Sequence, residues 1–292
     1  VIDAFGEAPN QMKAHGDFYF RGLTADEVAS RVSRDSQAIF LYANNVTYHE
    51  SILAILKRVK EVHPKIPLII LENTQAVTSY SLRHVRQDFF SLGADQIVLG
   101  EPEERALLLL EGQNSVEGIL SPNTDSLPIK KIADLDSLPK PLWEAFPLEN
   151  YWKIGYAHGP LSSKKYLPIV SSRGCPYPCQ FCIIPELNDT KWRARSASHV
   201  VDEMEYFAEK LNVREFHFED VDPTVSDVRT QEICREILRR NLKIIWKISS
   251  GTKVETIKSE ETVDLMAEAG CRYVSISPES GSERVMKLMK KP

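Results

Sequence analysis

The chain has 292 residues, 42% of them hydrophobic and 26% charged. That composition excludes a disordered tract or a collagen-like repeat, and a chain this long buries roughly three quarters of its unfolded surface, usually in two domains. A formal net charge of -5 argues against an electrostatic grip on nucleic acid. No apolar run approaches the roughly 18 residues of a membrane span, and the opening residues lack the charged start of a signal segment, so a cytoplasmic protein is expected. The chain opens without Met, inside what reads as a strand, and stops soon after a helix start, so it is expected to be a fragment truncated at both ends.

From residue 1 to 111, short apolar runs alternate with helical stretches, the pattern of βαβ units around a parallel sheet. Strands are expected over 1–4, 38–42, 67–71 and 96–99. Thr24, followed three residues later by Glu27, forms a capping box that opens a helix through about Val32. His49 to His63 supplies the next helix. Its Ile52, Leu53, Leu56, Val59 and Val62 recur at helical spacing, which predicts one buried face, and Pro64 ends it by denying the next turn a donor.

Residues 112–165 lose this rhythm. Prolines at 122, 139, 141 and 147 interrupt any regular element, so the segment reads as a linker. It keeps Leu135, Leu138, Leu142, Trp143, Phe146, Tyr151 and Trp152, more apolar side chains than a free tether carries, and is expected to pack across a domain surface. From 166 to 292 the alternation resumes, with strands expected over 168–171, 215–219, 243–249 and 273–277. Helices start near Ser198, Ser226 and Ser259, each read as an N-cap. Asp202, Asp227 and Glu260-Glu261 are placed to meet the positive end of the helix dipole, and Gly270 closes the third helix.

Three of the five cysteines, Cys175, Cys179 and Cys182, fall within eight residues directly after the first strand of this second domain. Clustering of this kind in a cytosolic chain points to metal or redox chemistry before disulfides. A helix would set the three on one face, but Gly174, Pro176 and Pro178 break it, and Tyr177 is pushed out of the α region by the proline after it. The chain must curl, and a curled loop aims three sulfurs at one object. Structural zinc normally closes its shell with a fourth Cys or His, and the nearest downstream histidine is His199. Iron–sulfur clusters are usually held by four cysteines, so a four-iron cluster on three leaves one iron open to a small molecule.

The C-x3-C-x2-C loop with its aromatic Phe181, placed after the first strand of an α/β domain, resembles the signature of radical S-adenosylmethionine (SAM) enzymes. Trp192-Arg193-Ala194-Arg195-Ser196, Phe216-His217-Phe218-Glu219-Asp220 and Ile276-Ser277-Pro278-Glu279-Ser280-Gly281-Ser282 resemble successive blocks of the subfamily that carries a cobalamin-binding domain in front. Upstream, Gly100-Glu101-Pro102-Glu103 and the segment from Ile132 to Pro139 look like that subfamily's last front-domain turn and its connector. The resemblance implies an α/β fold: a doubly wound, Rossmann-like, B12-binding-type domain over 1–111 lacking its first β–α unit, the proline-rich linker over 112–165, and over 166–292 the first four strands of a partial radical-SAM (β/α) barrel.

The resemblance further implies a 4Fe-4S cluster on Cys175, Cys179 and Cys182, and S-adenosyl-L-methionine chelating the open iron. Phe181 would lie on the adenine side, with Glu219, Asp220, Ser249 and Glu279 meeting the cofactor's polar groups. Cobalamin would sit beyond the strand ends of the front domain, with Asn45, Thr47, Asn73 and Thr74 as candidate contacts. No D-x-H-x-x-G occurs in residues 1–111, and Glu72-Asn73-Thr74 stands where the subfamily often has glycines. The implied activity is generation of a 5'-deoxyadenosyl radical, in a cobalamin-dependent methyltransferase or a cyclase, on a small-molecule or natural-product substrate. A reducing partner such as flavodoxin or ferredoxin would supply the electron. Two alternatives stay open at this point: a methylthiotransferase-like RNA-modifying relative, which would be expected to carry further cysteines in its front domain where residues 1–111 have none, and a non-catalytic zinc or iron–sulfur module. Cys234 and Cys271 read as small packed hydrophobes, Met286 and Met289 as core-facing, and the run from Lys191 to Arg195 as an exposed basic loop.

Overall fold

The computed structural model describes residues 1–16, 18–113, 117–124, 129 and 131–291; residues 114–116, 125–128 and 130 of the expected linker lie outside the described residues. Two compact units emerge, Val1–Ile132 with Leu142–Tyr151, and Ala133–Pro141 with Trp152–Pro292. Among the described residues no helix is long and apolar enough to cross a membrane.

The first unit opens on helix α1 (Ala4–Glu7) rather than on a strand over 1–4. The cause is local. Asp3 Oδ1 accepts from Gly6 N and Glu7 Oε1 accepts from Asp3 N, each at 2.9 Å, a reciprocal cap that outweighs the short apolar run. An antiparallel hairpin follows, β1 (Met12–His15) with β2 (Phe18–Arg21), in a stretch with no sequence expectation. Helix α2 (Ala25–Arg31) begins at Thr24 with both arms of the capping box made. Then come β3 (Ile39–Ala43), α3 (His49–Val62), β4 (Leu68–Glu72), α4 (Arg86–Ser91), β5 (Gln96–Val98), α5 (Glu103–Leu110), β6 (Ile119–Leu120) and α6 (Leu148–Ile154), of which Leu148 to Tyr151 belong to this unit.

The sheet runs β3-β4-β5-β6, its first three strands parallel and the last antiparallel. Strand order is consecutive, so the reversal that marks a doubly wound sheet is not among the described strands. Both faces are nonetheless covered. Leu68, Ile70 and Ile97 pack with Val28, Ile52, Leu56 and Phe89 on one side, and Ile69 and Val98 pack with Leu109 of α5 on the other. Ile52, Leu56 and Val59 form the buried stripe of α3, Leu53 is half-buried, and Val62, in the last turn, faces solvent. Each fully buried Leu or Ile here contributes about 2 kcal/mol of transfer free energy. Asn150 and Tyr151 are tied to this unit through Gly6 O (2.8 Å) and Asp3 Oδ2 (2.7 Å). Leu142 and Phe146, expected to be packed, are exposed.

The second unit contains β7 (Leu167–Ile169), β8 (Ser172–Arg173), α7 (Ile184–Asn188), β9 (Arg193–Ala194), α8 (Ala197–Lys210), β10 (Glu215–Phe218), α9 (Asp227–Arg239), β11 (Ile245–Thr252), α10 (Glu260–Glu268), β12 (Cys271–Ile276) and α11 (Glu283–Met289). Strands β7-β10-β11-β12 are parallel and lie in chain order, as successive strands of a (β/α) barrel do. Helix α8 is capped by Ser196, whose Oγ accepts from His199 N at 3.2 Å, and not by Ser198. Asp202 therefore sits past the first turn and pairs with Arg240 at 2.6 Å instead of meeting the dipole. Ser226 and Ser259 cap α9 and α10. Gly270 takes φ 93°, and a Cβ there would stand 2.3 Å from the Ile244 carbonyl.

Alternation along these strands sorts their side chains by face. Phe216, Phe218, Trp246 and Ile248 are buried on one face, with the Phe218 and Trp246 rings 5.3 Å apart. Glu215, His217 and Glu219 share the other face with Lys247 and Ser249, since His217 and Lys247 are register partners. The sheet thus has an oily side and a polar side, and the polar side leads up to the strand ends that carry the cysteine loop.

Candidate functional site

The cysteine loop leaves the C-terminal end of β7 and is pinned at its root by a buried carboxylate. Asp220, 1% exposed just beyond β10, accepts from Ser171 N (3.0 Å), Ser171 Oγ (2.8 Å) and Ser172 Oγ (2.5 Å). From the other side the Ser171 carbonyl accepts from Arg229 Nη2 at 2.7 Å and from Arg195 N at 3.0 Å. Strand β8 then pairs antiparallel with β9, Ser172 opposite Ala194 and Arg173 opposite Arg193, a ribbon that closes the base of the loop. Gly174 follows with φ 80°, and an added Cβ would lie 2.0 Å from the Lys191 carbonyl. Only glycine lets the chain turn there into Cys175. Residues 174–183 hold no helix or strand, as the prolines require.

All three thiols are free and half-buried. Burial pushes the Cys175 thiol up to about 12, against a backbone hydrogen bond from Tyr177, and the charges of Asp222, Cys179 and Cys182 push the same way. Burial likewise raises Cys182, which feels Cys179 and Glu279 as well. A metal that takes these thiols as thiolates must displace their protons. Among the described residues no three His, Cys, Asp or Glu side chains converge as ligands of a single metal ion. A cluster takes each thiolate on a different iron, and the donor set of three unpaired cysteines on one curled loop fits it. His199, the nearest histidine for a fourth ligand, is engaged by Arg195 Nε at 3.0 Å and by Asp136 at 3.2 Å.

The other expected contacts fall at the same strand ends, with different degrees of freedom. Phe181 is 54% exposed on the loop. Glu279 stands after β12 in a left-handed conformation, φ 60°, paired with Lys291 at 2.8 Å; that backbone is strained for a non-glycine residue, which is characteristic of functional sites. Ser249 is 6% exposed and its Oγ has no hydrogen-bond partner among the described residues, an orphaned polar atom of the sort a ligand satisfies. Burial raises the Glu219 carboxyl, while a 2.9 Å contact with His158 Nδ1 lowers it. Asp220 is committed to the loop root and serves as a positioning group.

Cys234 is fully buried and Cys271 half-buried, and Met286 and Met289 are half-buried. Arg195 is not part of an exposed loop: it is buried, bonds Val170 O at 3.0 Å and pairs with Glu203 at 2.7 Å. A cavity of about 380 Å³ opens at the opposite, N-terminal end of the strands, lined among others by Arg214, Lys243, Gly270 and Arg272, away from the thiols.

Within the first unit, Asn45, Thr47, Asn73 and Thr74 do gather after β3 and β4, at the C-terminal edge of the sheet. Asn45 Oδ1 accepts from Thr47 N at 2.9 Å and its amide reaches Thr78 Oγ1 at 3.0 Å, while Asn73 bridges Asn44 O (2.8 Å) and Gln75 N (2.9 Å). Glu72 is buried and accepts from Leu82 N at 2.8 Å and Gly100 N at 2.6 Å, so a carboxylate stitches together the loops at this edge.

Residues 169–292, which hold the consecutive parallel sheet and the three-cysteine loop after its first strand, match the Radical SAM superfamily. Along the whole chain the sequence is 28% identical, over 334 aligned positions, to cytidylyl-2-hydroxyethylphosphonate methyltransferase of Streptomyces wedmorensis, covering 100% of this chain and 60% of that enzyme. It is 27% identical over 217 residues to the anaerobic magnesium-protoporphyrin IX monomethyl ester cyclase of Rubrivivax gelatinosus, covering 68% of this chain and 36% of the cyclase. In fold it matches the radical S-adenosylmethionine methyltransferase TsrM from Kitasatospora setae, solved with tryptophan and a SAM analog, with a TM-score of 0.66 at 18% identity over 90% of this chain and 52% of TsrM. The chain thus spans about half the length of TsrM and 60% of the phosphonate methyltransferase.

Proposed function

We propose that this chain belongs to a cobalamin-dependent radical SAM methyltransferase acting on a small-molecule substrate. The observation that carries the reading is the loop of Cys175, Cys179 and Cys182: three free thiols on one curled loop at the C-terminal end of a parallel sheet, whose other strands carry the strained Glu279 and the unpartnered Ser249 hydroxyl. When bound, a 4Fe-4S cluster and S-adenosyl-L-methionine supply reductive cleavage of a carbon–sulfur bond, and cobalamin supplies a methyl carrier. The protein's part is to hold and orient. The three thiolates would each hold one iron, Asp220 and Gly174 set the shape of the loop, Glu219, Ser249 and Glu279 would offer polar contacts to the cofactor, and Phe181 would serve its adenine side.

In the first unit, cobalamin would lie at the polar strand-end segments of Asn45, Thr47, Asn73 and Thr74. In support, a TsrM structure carries cobalamin and a [4Fe-4S] cluster, and these four residues follow the C-terminal ends of two neighbouring parallel strands. A flavodoxin or ferredoxin would deliver the electron. The matched cyclases keep ring closure as a neighbouring outcome. Anaerobic reconstitution followed by incubation with a strong reductant and S-adenosyl-L-methionine tests this: release of 5'-deoxyadenosine or methylation of cobalamin is expected, and zinc as the sole metal with neither product contradicts it.

A further inference from the structure

The polar face of the second unit's sheet is overlain by a segment with no expected role. Residues 158–162 run down β10 and β11 from their C-terminal toward their N-terminal ends: His158 meets Glu219, Gly159 approaches Ser249, Pro160 meets Lys247 and Ser162 meets Glu215. Its anchor is a buried ion pair. Lys247, 1% exposed, donates hydrogen bonds to Glu215 Oε1 at 2.7 Å, Ser162 Oγ at 2.9 Å and the Pro160 carbonyl. The segment therefore supplies two of the three acceptors of a buried ammonium, and Glu215 accepts in return from Ser162 N at 3.0 Å and from His217 Nε2 at 2.9 Å. A buried ammonium stripped of those partners is strongly unfavourable, so the lower half of the segment is locked in place.

At the upper end the lock becomes directional. His158 Nδ1 holds Glu219 Oε2 at 2.9 Å, while Oε1 has no partner among the described residues. Ser249, one register step beyond the Phe218–Ile248 pair, presents its unpartnered hydroxyl on the same face. A Cβ at Gly159 would stand 3.0 Å from Ser249 Oγ, so a side chain there would press on that hydroxyl.

We propose that His158 is a positioning residue: carried by the locked segment, it holds one oxygen of Glu219 and turns the other, with the Ser249 hydroxyl beside it, toward the ammonium group of bound S-adenosyl-L-methionine. The proposal rests on the reading of Glu219 as a cofactor contact. The charged and titratable groups facing Glu219 are His158 from the segment, His217 and Asp220 from β10 and its end, and Tyr166 from the approach to β7.

The test is equilibrium binding of S-adenosyl-L-methionine to the anaerobically reconstituted chain from neutral to acidic pH, for the wild type, H158A, H158Q and E219A. H158A is expected to bind several-fold more weakly: the carboxylate loses the contact that orients it, and because the His158 side chain is 62% exposed that contact is partly screened by solvent. Its binding should also fail at higher pH than in the wild type, because the contact that favours the carboxylate is gone. H158Q, which keeps a donor, should recover most of the affinity, and E219A should lose it. Wild-type binding by H158A alongside loss in E219A overturns the assignment of His158 and leaves the reading of Glu219 standing; undiminished binding by E219A, or none by the wild type, removes both. Amide hydrogen exchange over 158–162 should be unchanged in H158A, since Lys247 and Glu215 hold the segment. Faster exchange there would assign His158 to holding the segment and overturn the proposal.

Discussion

Replacing Asp220 with alanine isolates what the loop root is worth. The carboxylate is buried and receives three donors, Ser171 N, Ser171 Oγ and Ser172 Oγ, within 2.5–3.0 Å. Hydrogen bonds to a charged acceptor are worth about 1.5–3 kcal/mol each. Part of that sum is offset, because burying the carboxylate is itself costly and the freed Ser172 hydroxyl can turn to the Asp222 carbonyl, now 3.5 Å away. The Ser171 N–H has no such recourse. A net loss of about 3 kcal/mol follows, weighting the N–H fully and the hydroxyls lightly. For a unit of about 150 residues this lowers Tm by roughly 6–12 °C. Thermal unfolding followed by near-UV circular dichroism reads that shift, and iron content after anaerobic reconstitution reads the consequence for the loop, which should fall in parallel. Asp220→Asn, which keeps one acceptor oxygen, should lose less. A D220A protein with unchanged Tm and full iron content would show that the strand ends hold the loop without the carboxylate.

Three further outcomes follow from the same geometry. Gly174→Ala forces a Cβ against the Lys191 carbonyl at a positive φ, so it should cost at least about 2 kcal/mol and reduce iron uptake; unchanged denaturant midpoint and uptake would contradict the close approach. Lys247→Met and Glu215→Gln each strand a buried partner and should destabilise by about 3–5 kcal/mol, while the double variant should be markedly less destabilised than the sum; strict additivity in urea unfolding would dissolve the pair. Burial raises the Glu215 carboxyl, but Lys247, His217 and the Ser162 N–H together bring it below the ordinary carboxylate range. Its stabilisation is therefore present above the unfolded value near 4.3 and lost as pH falls through the lower folded value, and Lys247→Met should move the acid limb of the stability profile to higher pH.

The cysteine loop was legible because its punctuation is local: Gly174, Pro176 and Pro178 forbid a helix whatever surrounds them, and the apolar run before them marks the strand. Ser226, Ser259 and Thr24 likewise announced their helices through contacts within one turn. Asp3 shows the limit of such reading, since its cap with Gly6 and Glu7 is equally local but was masked by the apolar start of the chain. Ser196 won over Ser198 because the ribbon of β8 and β9 fixes where the chain arrives, a tertiary fact. Arg195 looked like an exposed cation for the same reason: its partners Val170 and Glu203 come from other elements. The segment over 158–162 left no pattern of its own, because its bonds are from the Pro160 carbonyl and Ser162 to Lys247 and Glu215, more than fifty residues away. The charged residues inside strands, Glu215, His217 and Lys247, were the available signal. Three ionisable side chains at buried strand positions must find partners, and a search for those partners would have led to the segment.

On the proposed function, three thiolates hold a cluster with one iron left for a small molecule. The most direct test is electron–nuclear double resonance on the anaerobically reconstituted and reduced chain, with 15N-labelled S-adenosyl-L-methionine. Expected are about four irons per chain, a hyperfine coupling from the labelled amino nitrogen, and loss of the cluster in each of the Cys175, Cys179 and Cys182 serine variants. A cluster showing no such coupling because a fourth protein side chain caps the iron, or a chain that binds only zinc, contradicts it.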